Sequence, residues 1–302
     1  MRNSGDEELK TESVGPTLAR RMAGFLRERA ATLLIVTLVV LPVIAAVYAT
    51  KPSIVADAEN ARRKLALYHF TYSEESFVRR AREGNTRIVQ LFLSSGMNPD
   101  ARDKDGETAL LAAASNDHSD VVEALLKAKA SMEAKDKNGL TPLICASRYG
   151  ATAALRVLLD HQADVNARTN NGATALMYAA LKSNSEIIET LLDHGADLKA
   201  TDNSGGTPLT WAAFYGAVSM TRILLEKGAD PNAKNNRGGT PLMLAAARNQ
   251  TEVAQVLLDH GANSTLKDND GKSALEWATM LAHEDVARLL QEAEARKKAR
   301  RS

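Results

Sequence analysis

Cysteine is almost missing from this chain of 302 residues. Cys145 stands alone, so no disulfide can close within the chain and no paired-cysteine metal motif exists. Aromatic residues are scarce too, at 4%, which makes any local gathering of them informative. Neither sign of charge prevails: 38 Lys and Arg against 37 Asp and Glu leave a net charge of +1, without the basic footprint that nucleic-acid binding requires. The closing ARKKARRS is basic but short and reads as a solvated helix end. HExxH, GxSxG and a phosphate-cradling glycine loop are all lacking. These absences predict a protein that is not an enzyme and takes no cofactor, no metal, no small-molecule substrate and no nucleic acid.

What the chain does have is a register. Gly106, Gly139, Gly172, Gly205, Gly238 and Gly271 open the phrases GETAL, GLTPL, GATAL, GGTPL, GGTPL and GKSAL, each 33 residues after the last. Such a period means a solenoid whose units bury their apolar faces only against neighbours. Glycine suits a tight turn, the Thr or Ser two residues later suits a helix N-cap, and Pro142, Pro208 and Pro241 suit the first helical turn. Small pairs follow one turn in, from Ala113-Ala114 to Ala278-Thr279, where little side chain lets helices approach closely. A second helix closes on Leu125-Leu126, Leu158-Leu159, Leu191-Leu192, Leu224-Leu225 and Leu257-Leu258. These leucines are expected in the core, each contributing about 1.5 to 3 kcal/mol if fully buried.

TPL, the small pair, the LLDHGAD exit and the DxxG tip together resemble the ankyrin repeat, and they do so in every unit from 106 onward. The resemblance implies units of a hairpin finger and two antiparallel helices, stacked into a curved array that binds other proteins. One departure is consistent: the His that usually follows TPL is replaced by Leu111, Ile144, Met177, Thr210, Met243 and Glu276, so its hydrogen bonding has to be met otherwise. One period upstream of Gly106, SEESF replaces the opening phrase and Ser73 can cap a helix, which makes Ser73 to Asp105 a divergent first unit. The last unit has Leu290-Gln291 for its leucine pair and runs on with Glu292/Arg296 and Glu294/Lys298 at i,i+4 spacing. Polar terminal repeats are what a soluble array requires.

The expected fold class is therefore an all-α ankyrin-repeat solenoid preceded by one apolar transmembrane or signal helix. The expected domains are a charged tail (1–29), the apolar segment (30–50), a linker and capping helix (51–72), and seven units: 73–105, 106–138, 139–171, 172–204, 205–237, 238–270 and 271–302. Within 51–72, Ile54, Ala58, Ala61, Leu65 and Tyr68 alternate steps of four and three, a helical seam for the first repeat or for an oligomer.

Ala30 to Thr50 holds 21 residues without a charge, enough at ~1.5 Å per residue to cross a hydrocarbon core of ~30 Å. It reads as an anchor, or as a signal cleaved near Ala49, where Val47-Tyr48-Ala49 resembles a peptidase site. Translation from Met22 would make MAGFLRERA an ordinary n-region. Within 15 residues on either side stand four Lys or Arg, so charge balance does not orient it. Long following domains cross largely regardless of charge, and the favoured topology puts the repeats outside the cytosol, in the periplasm if the source is bacterial; a cytosol-facing adaptor is the inverse.

The candidate site comes from the resemblance, which places the two residues after each small pair on the concave face. Those pairs are Ser115-Asn116, Arg148-Tyr149, Leu181-Lys182, Phe214-Tyr215, Ala247-Arg248 and Met280-Leu281. The partner-binding set is Arg148, Tyr149, Leu181, Lys182, Phe214, Tyr215 and Arg248, because aromatics with arginine make binding hot spots. Tyr178, Trp211 and Trp277 are read as packing residues. His161, His194 and His260 occupy one repeat position, too far apart to share an ion, and read as helix C-terminal residues. Cys145 reads as a small apolar residue. The expected function is a non-catalytic scaffold for a protein partner; a structural or stress-protective envelope component is the alternative.

Overall fold

The computed structural model describes residues 56–299. The charged tail, Met22, the apolar segment, Ala49 and Ile54 lie outside them. The chain divides into two compact units, Met1–Glu59 and Asn60–Ser302. Of the first, only the helical residues 56–59 are described. No described helix is long and apolar enough to cross a membrane.

The regular elements among the described residues are all helices, without a named strand. Helix α1 covers residues 56–67. Seven pairs follow: α2 (Glu74–Arg82) with α3 (Thr86–Ser94), α4 (Ala109–Ser115) with α5 (Ser119–Lys127), and α6 (Pro142–Tyr149) with α7 (Thr152–Asp160). Then come α8 (Ala175–Ala179) with α9 (Ser185–Asp193), α10 (Pro208–Tyr215) with α11 (Val218–Glu226), α12 (Pro241–Ala247) with α13 (Thr251–Asp259), and α14 (Ala274–Met280) with α15 (Glu284–Ala299). First helices pack on first helices and second on second, each with its neighbour one period away.

The opening phrases act as their residue types dictate. Thr108, Thr141, Thr207, Thr240 and Ser273 each accept a hydrogen bond from the backbone three residues on, and Pro142, Pro208 and Pro241 begin their helices. Ser73 caps α2 in the same way through Ser76 N–H. Thr174 is the exception: it makes no cap bond, and its buried hydroxyl has no partner. Helix α8, which it precedes, has five residues where α6 and α10 have eight.

The small pairs are fully buried from Ala113-Ala114 to Ala245-Ala246. Thr279 of the unit 271–302 is exposed. Among the leucine pairs, the first member is always buried, whereas Leu126, Leu192 and Leu258 are only half-buried. On α1, Ala61 and Leu65 are buried while Tyr68 is exposed, since the helix ends at residue 67 and Tyr68 starts the turn. At the far end Arg296 reaches Glu292 at 3.4 Å; Lys298 makes no ion pair among the described residues.

The missing histidines are replaced in several ways. Glu276 accepts from Ser273 N–H at 2.6 Å, Thr210 donates to the Thr207 carbonyl at 2.7 Å, and the Met243 sulfur lies 3.5 Å from Thr240 N. Leu111, Ile144 and Met177 are simply buried as apolar residues.

Between the pairs, the tips are turns, as where Asp202 N–H meets the Gly206 carbonyl at 2.9 Å. Two ladders at the 33-residue period tie these tips together. Asn170, Asn203, Asn236 and Asn269 each donate Nδ2 at 3.1 Å to a carbonyl of the preceding tip, and their backbone N–H groups donate to the next carbonyl along it. The close approach explains the glycine register: Gly172 has φ +79° and a Cβ there would stand 2.5 Å from Asn203 Oδ1. In the second ladder Arg102, Lys135 and Lys234 donate to the carbonyl of the corresponding residue in the next unit at 2.9 to 3.0 Å, and Arg168 does the same to Thr201.

Candidate functional site

The row expected to bind a partner is built at the ends of the first helices. Arg148 and Tyr149 close α6, Phe214 and Tyr215 close α10, and Arg248 caps α12. Leu181 and Lys182 lie beyond α8, in the turn that follows its early end. The small pair just before each of these residues is buried, so the row occupies the first positions able to reach solvent.

Exposure singles this row out. Eight large hydrophobic side chains are exposed among the described residues. Three of them belong to the expected set, Tyr149 (52%), Leu181 (37%) and Tyr215 (45%), and two more, Met280 and Leu281, hold the same repeat positions in the last unit. The other three, Leu67, Tyr68 and Tyr72, lie beside α1, where Arg62 stacks over Tyr72 and Arg87 over Tyr68. Elsewhere the 33-residue pattern keeps its large apolar side chains at least partly covered.

The rings on the row touch one another in sequence. Arg148 lies over Tyr149 at 5.6 Å and over Tyr178 of the next unit at 5.7 Å. Tyr178 packs on Trp211 at 5.4 Å, Trp211 on Tyr215 at 5.8 Å, and Tyr215 edge-on to Phe214 at 5.1 Å. Arg248 then covers Phe214 at 3.8 Å. Three units and part of a fourth are thus joined by one run of aromatic and cation–π contacts, each worth about 0.5 to 1.5 kcal/mol. Leu181 and Lys182 take no part in that run, although the Lys182 stem lies beside Gly150.

Tyr178 and Trp211 do more than pack. Both are half-buried against the core, yet they carry the contacts between Tyr149 and Tyr215 and so belong to the surface. Trp277 has the packing role expected of it, under Lys272. The sequence signal for Trp211 is its neighbourhood: Asp202 precedes it by nine residues, as Asp268 precedes Trp277. Each indole Nε1 donates to that carboxylate at 2.7 Å. Burial raises the Asp202 carboxyl, but donors from Ser204, Trp211 and Gly206 outweigh this and hold it below the usual range. The ring is therefore fixed from beneath by a carboxylate that also holds the tip.

A small socket opens beside this ring. It encloses about 260 Å³ between the fifth and sixth units, with Trp211, Phe214, Tyr215 and Leu244 as its apolar lining and Asp202 and Ser204 at its polar edge. Nothing on the row resembles a reaction centre, and the histidines sit apart from it. His161, His194 and His260 are C-cap residues of α7, α9 and α13; His194 and His260 meet carbonyls of their own helices at 2.8 Å, and His161 meets Glu123 at 2.9 Å. Cys145 occupies the repeat position of Tyr178 and Trp211 but is buried, and that burial pushes its thiol up to about 12.

A family model described as ankyrin repeats (3 copies) matches residues 77–169, 164–235 and 232–301. The chain belongs to the ankyrin repeat family. No curated protein matches it in a sequence comparison. Ankyrin repeats are generally protein–protein interaction modules, and ankyrin repeat proteins are typically non-enzymatic scaffolds. The two ladders and the covered leucines recur along this ankyrin array; the aromatic run from Tyr149 to Arg248 is what its middle units add.

Proposed function

We propose that this ankyrin array is a scaffold without chemistry of its own, which binds a protein partner on the row of Arg148, Tyr149, Leu181, Lys182, Phe214, Tyr215 and Arg248. The observation that carries this reading is the run of aromatic and cation–π contacts from Arg148 to Arg248, with Tyr149 and Tyr215 exposed along it. A soluble protein exposes such groups singly without consequence, but a continuous aromatic strip edged by arginine has the composition of an interface centre. The anchors are Tyr149 and Tyr215, with Trp211 as the ring on which Tyr215 rests.

The same reading includes attachment to a membrane or export, through the uncharged segment Ala30–Thr50. Its length suits a bilayer. The repeats then lie outside the cytosol.

Two experiments test these parts separately. Crosslinking in cells followed by co-purification is expected to recover a stoichiometric partner with the native chain and to lose it with Phe214→Ala/Tyr215→Ala. Unchanged recovery would remove the row as the binding site. For the compartment, alkaline phosphatase fused after Ser302 is expected to be active; an inactive, stably produced fusion would place the repeats in the cytosol. The N-terminal residue of the mature chain separates anchor from cleaved signal.

A further inference from the structure

The charge on the row is of one sign and unused. Arg148, Lys182 and Arg248 make neither an ion pair nor a side-chain hydrogen bond among the described residues, although ion pairs are formed on many other surfaces of the array. Arg148 and Arg248 are instead spread over aromatic rings, which leaves their N–H donors without acceptors. Asp202, the carboxylate beneath Trp211, is already occupied: Trp211 donates to one oxygen, and Ser204 and Gly206 donate to the other. Cations held against apolar surface and lacking a counter-charge form the strongest pairs when a carboxylate is brought to them out of water.

The spacing adds a register. Arg148 and Lys182 stand in successive units, at neighbouring positions of the repeat, and Lys182 and Arg248 two periods apart, with the 260 Å³ socket by Trp211 between the latter. Stacked helices lie ~8 to 10 Å apart, and an extended chain advances ~3.3 Å per residue, so one period corresponds to about three residues of bound peptide. We infer that the partner presents an extended acidic segment. An aliphatic or aromatic side chain enters the socket; a carboxylate one or two residues to one side meets Arg248, which covers the Phe214 ring of the socket wall, and carboxylates farther to the other side, about three residues apart, meet Lys182 and Arg148. This rests on the row being the binding surface, and it names the chemistry of what binds there.

The test uses the immobilised full-length chain and a displayed library of random 12-residue peptides as probe. Native protein is expected to enrich peptides with Asp or Glu on both sides of an apolar residue, and a synthetic copy of one such peptide is expected to lose at least tenfold in affinity to Arg148→Glu/Arg248→Glu. Selection on that charge-reversed variant is expected to enrich Lys and Arg instead. If the reversed variant melts early, Arg148→Gln/Arg248→Gln replaces it and is expected to abolish the acidic excess. Peptides that depend on Tyr149 and Tyr215 but show no acidic excess would overturn the acidic partner and leave the row standing. If no selected peptide is sensitive to any row substitution, the acidic segment and the row fall together.

Discussion

Asn203 closes over Gly172: its backbone N–H and its Nδ2 bond the two carbonyls ahead of that glycine, and a Cβ on the glycine would stand 2.5 Å from the Asn203 Oδ1. Asn170 stands in the same relation to Gly139, and Asn269 to Gly238. The glycine is thus required twice, by a left-handed backbone and by the next unit's asparagine. Gly271 has the same backbone, φ +75°, with nothing within 4 Å of its would-be Cβ.

Gly172→Ala is therefore expected to destabilise the array more than Gly271→Ala. The left-handed conformation costs each variant about 1 to 2 kcal/mol, and Gly172→Ala adds the displaced asparagine, about 1 kcal/mol or more. Urea unfolding of both variants measures the difference; equal midpoints would remove the asparagine from the explanation.

The uncapped Thr174 gives a second contrast. Thr141→Val deletes a working cap and is expected to cost about 1 kcal/mol. Thr174→Val deletes a buried hydroxyl that has no partner and is expected to be neutral or stabilising. Equal losses in thermal unfolding would show that Thr174 caps after all.

Asp202 sets a pH dependence. Burial alone would raise its carboxyl, but donors from Ser204, Trp211 and Gly206 bring the folded-state value below the ordinary one. A depressed carboxylate contributes stability that is fully present above its unfolded value, ~3.9, and is lost as pH falls through the lower folded value. Asp202→Asn is expected to be less stable than the native chain at pH 7, with the gap narrowing below about pH 4. Denaturation at pH 7 and pH 3 measures it; a gap that stays constant would exclude the carboxylate's charge as the cause.

Cys145 is expected to be inert in the folded chain. With the thiol pushed up to about 12 by burial, almost no thiolate exists at pH 8, and thiolate is the reactive form. Ellman's reagent should react slowly with native protein and at once in urea. Fast native labelling would mean that the array opens around α6.

Much of this was legible in the chain, because a strict period turns one unit's chemistry into everyone's. The caps other than Thr174, the small pairs from Ala113-Ala114 to Ala245-Ala246 and the helix-terminal histidines stand where their residue types put them. Two things were not read. The asparagine ladder was present as Asn170, Asn203, Asn236 and Asn269, but its meaning is a contact between units, which a motif read within one unit does not display. Trp211 was read as packing alone, because burial and contact with a surface aromatic are not exclusive for so large a ring. Leu181 and Lys182 keep their place in the register, yet α8 ends at Ala179 and leaves them in a turn.

The Trp211–Asp202 latch has a consequence for how such a surface can be inherited. A 33-residue length of chain beginning at Asp202 contains the ring, the carboxylate that fixes it, and Phe214 and Tyr215 beside it; the pair Asp268 and Trp277 is the same latch two periods on. Copying or deleting one such length moves a whole recognition element together with its support. A length taken from the middle of the array carries Asn203 and Lys234 with it, the donors by which its neighbours are already tied, so the patch and its attachments travel in steps of a single period.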